Sequence, residues 1–396
     1  MNRKNRINTL FEILATSTKL GLTSFGGPVA HLAYFKDEYI DRKKWLDEKT
    51  YADIIALCQF LPGPASSQVG IAIGMLRGGL LGGFLSWFGF TVPSILILVL
   101  FAMLYQSFSL EDAVFIHSLK VVAVAVVLHA LIGMGQKLTP DKTRIAIALI
   151  AATTMFIFPS AWMQIFIIIG AGMVGYILFK DQATSKVNNF SVHISKRTGI
   201  ISLSILVATL VLLPIITKFT DHPFVQIFDI FFRVGSLVFG GGHVVLPMIE
   251  REVVPTGWIS ADEFLAGYGV AQAVPGPLFT FSSYLGTMMA GVSGTVIATV
   301  AIFLPSFLLI MAALPFLNEL RKRKAFQGIL MGVNASVVGI LLAAFYDPVF
   351  KSSIFDTSDF ALGAILFSLL FIWKVPAWFI VILGVVGGYL FHFINF

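Results

Sequence analysis

Between Leu80 and Tyr105 the chain carries no charged residue, and further apolar runs follow at Ile200–Ile216 and Ala361–Trp373. A hydrocarbon layer about 30 Å thick takes roughly 20 such residues per helix. Only helices or closed barrels satisfy every backbone polar group inside it. Of the 396 residues, 57% are hydrophobic and 12% charged, where a soluble domain has about a quarter charged. The expected fold class is therefore an all-α polytopic membrane protein. The opening stretch MNRKNRINTLFEILATSTKLG starts like a signal peptide. Glu12 and Lys19 interrupt its apolar region and no small-residue cleavage site follows, so it is read as mature chain. The lone Cys58 allows no internal disulfide or thiolate cluster. The net charge of +6 marks loops rather than a nucleic-acid surface.

The chain repeats itself. Ser24-Phe25-Gly26-Gly27 matches Val238-Phe239-Gly240-Gly241, with Lys19 on Arg233 and Gly21 on Gly235. Further on, Trp45 falls on Trp258, Gln59 on Gln272, Pro62-Gly63-Pro64 on Pro275-Gly276-Pro277, and Val92-Pro93-Ser94 on Leu304-Pro305-Ser306. The expected organisation is an N-terminal repeat over 1–180, a cytoplasmic linker over 181–198, a connecting transmembrane helix over 199–217 and a C-terminal repeat over 218–396. One added span between even-numbered halves turns the second half over. Loop charges agree with that by the positive-inside rule. Glu111 and Asp112 occupy a loop of the first half whose counterpart is Arg321-Lys322-Arg323-Lys324. Arg3, Lys4 and Arg6 place the N-terminus in the cytoplasm, and the same count leaves the C-terminus outside. Inverted repeats with broken helices are a plan of secondary transporters, which bind substrate near the midplane.

Each Pro-Gly-Pro interrupts a helical pattern and leaves arms of about 14 residues, roughly 21 Å long and too short to cross. Proline and glycine end one arm, and the second proline suits the first turn of the next. Re-entrant hairpins follow, and the FGGP and FGGG stretches read as a second pair of breaks. Such backbone is tolerated at membrane depth only where it is buried in protein or lines a wet cavity. The second arm of a hairpin starts with N–H groups and a positive dipole end, which suits an anion. The expected substrate-binding set is Lys19, Ser24, Gly26, Gly27, Gln59, Pro62, Gly63, Pro64, Ser66 and Ser67 in the first half. In the second it is Arg233, Gly240, Gly241, Gly242, His243, Gln272, Pro275, Gly276, Pro277 and Thr280. Lys19 and Arg233 supply charge, since an ionisable group at depth is costly unless it serves a cavity or a partner.

Blander readings stand beside these. Pro-Gly-Pro can be helix punctuation, and Lys19 and Arg233 can pair with Glu12 and Asp229. His243 can be a buried imidazole rather than a coupling or gating group. His117, Lys120 and His129 share a helix without metal-ligand spacing, Lys120 being a further candidate cavity cation, and Asp53 reads as a structural partner. No aspartate or glutamate is read as duplicated at depth, which leaves a coupling proton or counter-anion open. There is no HExxH pattern, no mid-membrane aspartate pair and no P-loop, so neither an intramembrane enzyme nor an ATP-driven pump is expected, and no cofactor or metal.

The motifs SFGGP (24–28), QFLPGPASSQ (59–68), VFGGGHVVLP (238–247) and QAVPGPLFTFSSYLG (272–286) resemble those of the chromate ion transporter superfamily, in its long two-domain form. The likeness covers essentially the whole chain. It implies a multi-pass protein of the bacterial cell membrane that exports chromate, or handles sulfate as its tetrahedral analogue, through alternating access. The alternatives are a passive anion channel and a carrier of another oxyanion. The expected partners are the oxyanion, a coupling proton or counter-anion and the lipid bilayer, with no nucleic acid, and a homodimer is left open.

Overall fold

The computed structural model describes residues 3–24, 31–32, 34–108, 114–180, 195–238, 242–316, 324–351 and 353–394. Gly26, Gly27, Gly240 and Gly241 lie outside the described residues, as do most of the linker and the side chains of Gln59, Asp53 and His243. The described residues are helical with no strand. The first half comprises α1 (Arg3–Thr23), a π-helical segment (Lys36–Arg42), α2 (Glu48–Phe60), α3 (Ala65–Phe108), α4 (Val114–Leu138), α5 (Lys142–Ile157) and α6 (Ala161–Phe179). After α7 (Lys196–Ile216) the series returns as α8 (Pro223–Leu237), α9 (Gly242–Val253), α10 (Ala261–Ala273), α11 (Phe281–Ala313), α12 (Lys324–Ala344), α13 (Thr357–Phe371) and α14 (Ala377–Ile394). Among the described residues five helical stretches are long and apolar enough to cross a membrane. They leave large apolar side chains such as Leu100, Ile150, Phe166 and Ile177 on the outside, as a lipid-facing protein does. The chain is an all-α polytopic membrane protein built from two repeated halves.

Two features were not expected from the sequence. The first is that α3 is two limbs, because Gly79 is left-handed (φ 68°). Its counterpart Gly291 (φ 61°) bends α11 the same way. The chain reverses so sharply at Gly79 that the backbones of Gly74 and Gly82 touch, and Gly286 meets Gly294 likewise. L-residues with side chains adopt this conformation at a cost, so glycine is required at the bend.

The bend fixes the hairpin. The first turns of α1 lie beside it, Leu10 near Gly78 and Ile13 near Gly82, whereas Gly21 backs onto the Phe90 carbonyl. Thus α1 runs alongside the second limb of α3. Glu12 accepts from Arg77 at 2.8 Å, Lys43 at 3.3 Å and Trp45 at 3.4 Å. This cluster brings the start of α1, the end of the π-helical segment and the last turn before the bend to one level. Glu12 is thus taken by Arg77, and not by Lys19.

The second feature is exchange between halves. α4 packs against α13 and α14 of the other half, and α12 against α5 and α6. Gly388 backs onto Ser118 as Gly175 backs onto Gly328 and Gly332. Reciprocal contacts of this kind are those of an approximate two-fold axis. Cross-half ion pairs also hold α4, Lys120 to Asp262 of α10 at 2.6 Å and His117 to Asp359 of α13 at 2.6 Å. Lys120 therefore tethers α4 to α10 and does not stand as a free cavity cation.

Candidate functional site

The two Pro-Gly-Pro tips meet the opposite half. Gly63 N–H donates to the Val238 carbonyl at 2.6 Å, and Gly276 N–H donates to the Ser24 carbonyl at 2.9 Å. Ser24 and Val238 are repeat-related positions, each immediately before its FGG stretch, so the two bonds are one contact made twice. Both tip glycines are left-handed, with φ 112° and 103°. Each also sits against a serine of the other half's long helix, Gly63 by Ser306 and Gly276 by Ser94. Phe90, beside Gly276, stands 11 residues beyond the Gly79 bend, or roughly 16 Å along the helix.

This layer holds more polar atoms than it pairs. Ser24, Ser67, Thr91 and Ser306 are at most 1% exposed, and each has a hydroxyl with no protein partner. The Gln68 carbonyl oxygen is likewise unpaired, although its amide donates to the Pro62 carbonyl at 2.6 Å. Leaving such a group unsatisfied costs about 1–3 kcal/mol. A native interior keeps several at one level where a ligand or water serves them. The helical bonds of the limb 65–78 begin with the Gln68 N–H donating to Pro64. The preceding N–H groups therefore make up the positive end of that arm. Ser66 is engaged by His31 Nδ1 at 3.3 Å.

Several expected site residues behave differently. The Gly63 and Gly276 N–H groups are spent on the crossed bonds and do not face a ligand. The Thr280 hydroxyl donates to the Pro277 carbonyl at 2.7 Å and so caps its own turn. Gln272 keeps a buried amide nitrogen without a protein partner. Pro62, Pro64, Pro275 and Pro277 shape the tips and offer no donor. Gly242 opens α9, immediately after the undescribed residues of its break.

The cations are in place but compensated. Lys19 Nζ lies 2.5 Å from Glu38. Arg233 forks onto Glu252 at 2.6 and 3.0 Å and also reaches Asp229 at 3.0 Å. Glu38 and Glu252 occupy the same repeat position, 19 residues after their cations. A duplicated carboxylate was therefore present after all. The repeat offset that matched Lys19 to Arg233 also matches Glu38 to Glu252. The sequence reading also did not single out Gln68, Thr91, Ser94 and Ser306, which stand beside the tips or lack a protein partner.

Arg233, Glu250, Arg251, Glu252 and Asp347 line an open pocket of about 610 Å³ beside α9. Glu250 lies outside the crossing helices, and burial pushes its carboxyl up to about 7 against the pull of Arg251.

The chromate transporter family profile matches residues 11–176 and 225–389. An uncharacterized transporter of Methanocaldococcus jannaschii is 27% identical over 394 residues, covering 98% of this chain and 96% of its own. The chromate transport protein of Pseudomonas aeruginosa is 26% identical over 342 residues, 85% of this chain and 80% of that one. That of Cupriavidus metallidurans is 26% identical over 378 residues, 92% and 89%. No solved structure matches this chain. With both halves matched and the same two halves meeting at crossed hairpin tips, the chain belongs to the chromate transporter family.

Proposed function

We propose that the protein is a secondary carrier that exports chromate, or a tetrahedral oxyanion of the same charge, by alternating access. The observation that carries this is the pair of crossed tip bonds, beside which buried hydroxyls of both halves stand without protein partners. Ser24 and Ser67 come from the first half and Ser306 from the second. Four oxygens around one centre match convergent hydroxyls and a helix N-terminus better than a planar or hydrophobic solute does. Lys19 lies five residues before Ser24, roughly 7.5 Å along the helix, close enough to attract the anion without sitting in the layer.

Hydrogen bonds to a charged group contribute about 1.5–3 kcal/mol each. Ser67→Ala and Ser306→Ala should therefore each raise the apparent KM for labelled chromate or sulfate uptake into proteoliposomes about tenfold or more. Unlabelled sulfate, chromate and molybdate should compete in the wild type. Uptake with unaltered KM in both variants would refute the site.

The inverted arrangement makes a separate prediction, with N-terminus inside and C-terminus outside. In a Cys58→Ala background, Phe219→Cys, at a position 84% exposed between α7 and α8, should react with an impermeant maleimide on intact cells. Lys142→Cys, at the first residue of α5, should react only after permeabilisation. The reverse pattern turns the molecule over, and labelling of both from outside would end the inverted topology.

A further inference from the structure

We infer that His31 is a further anion-binding residue, its Nε2–H donating to the oxyanion, and that the first half alone carries this part of the site. The inference rests on the carrier reading and adds the group by which that carrier grips its anion.

The ring stands where three elements of the first half meet. His31 is 1% exposed. Its Nδ1 lies 3.3 Å from Ser66 Oγ on the second arm of the hairpin. It stands T-shaped to Phe90 of the long limb, with centroids 5.4 Å apart. The Ser24 carbonyl, at the break after α1, is also within its reach. Each of these elements carries an unpartnered hydroxyl, at Ser67, Thr91 and Ser24. The remaining ring nitrogen, Nε2, is buried with no protein partner. A neutral imidazole donates through one nitrogen and accepts through the other. The Ser24 carbonyl and the Ser66 hydroxyl between them can serve either tautomer. An anion at Nε2 selects the one with its proton there, and the Ser66 hydroxyl then donates to Nδ1. This contact needs no buried charge on the ring and no net uptake of a proton.

The second half is apolar at the matching positions. By the repeat, Ser24, His31, Ser66 and Thr91 correspond to Val238, Val245, Phe279 and Phe303. All four are at most 1% exposed and belong to one apolar cluster, with the rings of Phe279 and Phe303 6.2 Å apart. One half therefore closes this level with hydrocarbon. The other keeps four buried polar groups there, at a desolvation cost that apolar side chains do not carry. Keeping them is favourable where a polar ligand serves them. The second half does retain unpartnered hydroxyls at Ser282, Thr299 and Ser306, but none stands at these four positions. The cations follow the same division. Lys19 is half exposed, whereas Arg233 is committed to both Asp229 and Glu252.

The test uses full-length protein, purified for equilibrium binding of labelled chromate and reconstituted for chromate counterflow. The wild type should bind one anion per chain. His31→Leu is apolar and of similar size, so it removes the donor and keeps the packing. It should raise both the Kd and the counterflow KM about tenfold or more, with the thermal midpoint nearly unchanged. His31→Gln, whose amide can donate, should recover part of the affinity. Ser66→Ala should raise the Kd severalfold, because nothing then donates to Nδ1. Wild-type Kd in both His31→Leu and Ser66→Ala would overturn the role of His31 and leave the carrier reading standing. Two anions bound per chain would overturn the confinement to one half. Equal losses of midpoint and affinity in His31→Leu and His31→Gln would make the ring purely structural. Absence of both binding and counterflow in the wild type would instead overturn the carrier reading.

Discussion

Gly63→Ala and Gly276→Ala should each lower chromate transport at least tenfold while leaving the protein inserted. Both glycines are left-handed, a conformation that costs a side-chain-bearing residue about 1–3 kcal/mol. A Cβ at Gly63 would also stand 2.7 Å from Gln68 Nε2 and 3.0 Å from Ser306 Oγ. At Gly276 it would stand 2.9 Å from Ser94 Oγ. The tip must therefore withdraw, which breaks the crossed bond and parts the hydroxyls of the two halves. Since about 1.4 kcal/mol is tenfold in an equilibrium constant, strain and contact together suffice. Uptake measured in vesicles, normalised to reconstituted protein, decides. Wild-type rates in both single variants would show that the tips are punctuation and nothing more.

The second large effect belongs to Arg233. Its guanidinium is the shared partner of Asp229 and Glu252, and all three side chains are at most 16% exposed. Removing one partner of a buried ion pair typically costs 3–5 kcal/mol, because the charge left behind is unpaired. Arg233→Ala leaves two. It should lower both the thermal midpoint in detergent and transport, the latter by tenfold or more. Arg233→Lys should fall between, because a single ammonium cannot fork onto both carboxylates. Lys19→Ala, at a half-exposed position, should leave the midpoint nearly unchanged while transport drops. A variant pair that loses the midpoint equally would place Lys19 and Arg233 in purely structural roles.

Much of this was legible in the sequence. The fold class follows from apolar runs. The halves and hairpins follow because a helix breaker inside an apolar run, written twice at one offset, has few other uses. The bends at Gly79 and Gly291 were hidden. They sit in glycine-rich stretches that read equally well as close helix packing, and one positive φ leaves no signature among neighbouring glycines. Thr91 and Ser306 were missed for a different reason. A hydroxyl within a membrane helix normally bonds to its own preceding turn, and only the arriving tip of the other half shows which of them are left unpaired. The crossed contacts join residues more than two hundred positions apart, and periodicity says nothing about such pairs. Glu38 and Glu252 could have been found, since applying the repeat offset to acids as well as bases exposes them.

The crossed tips also set how easily this molecule can change state. Each tip is tied to the opposite half by a single backbone bond, with a net contribution of about 0.5–1.5 kcal/mol. Each hairpin, by contrast, is clamped to its own long helix through the backbones on either side of its bend. The weak seam is at the tips alone, since the halves interlock elsewhere through α4 with α13 and α14 and through α12 with α5 and α6. A rearrangement confined to the tips would break only those bonds, and a ligand that prefers one arrangement by a few kcal/mol is enough to shift such a balance.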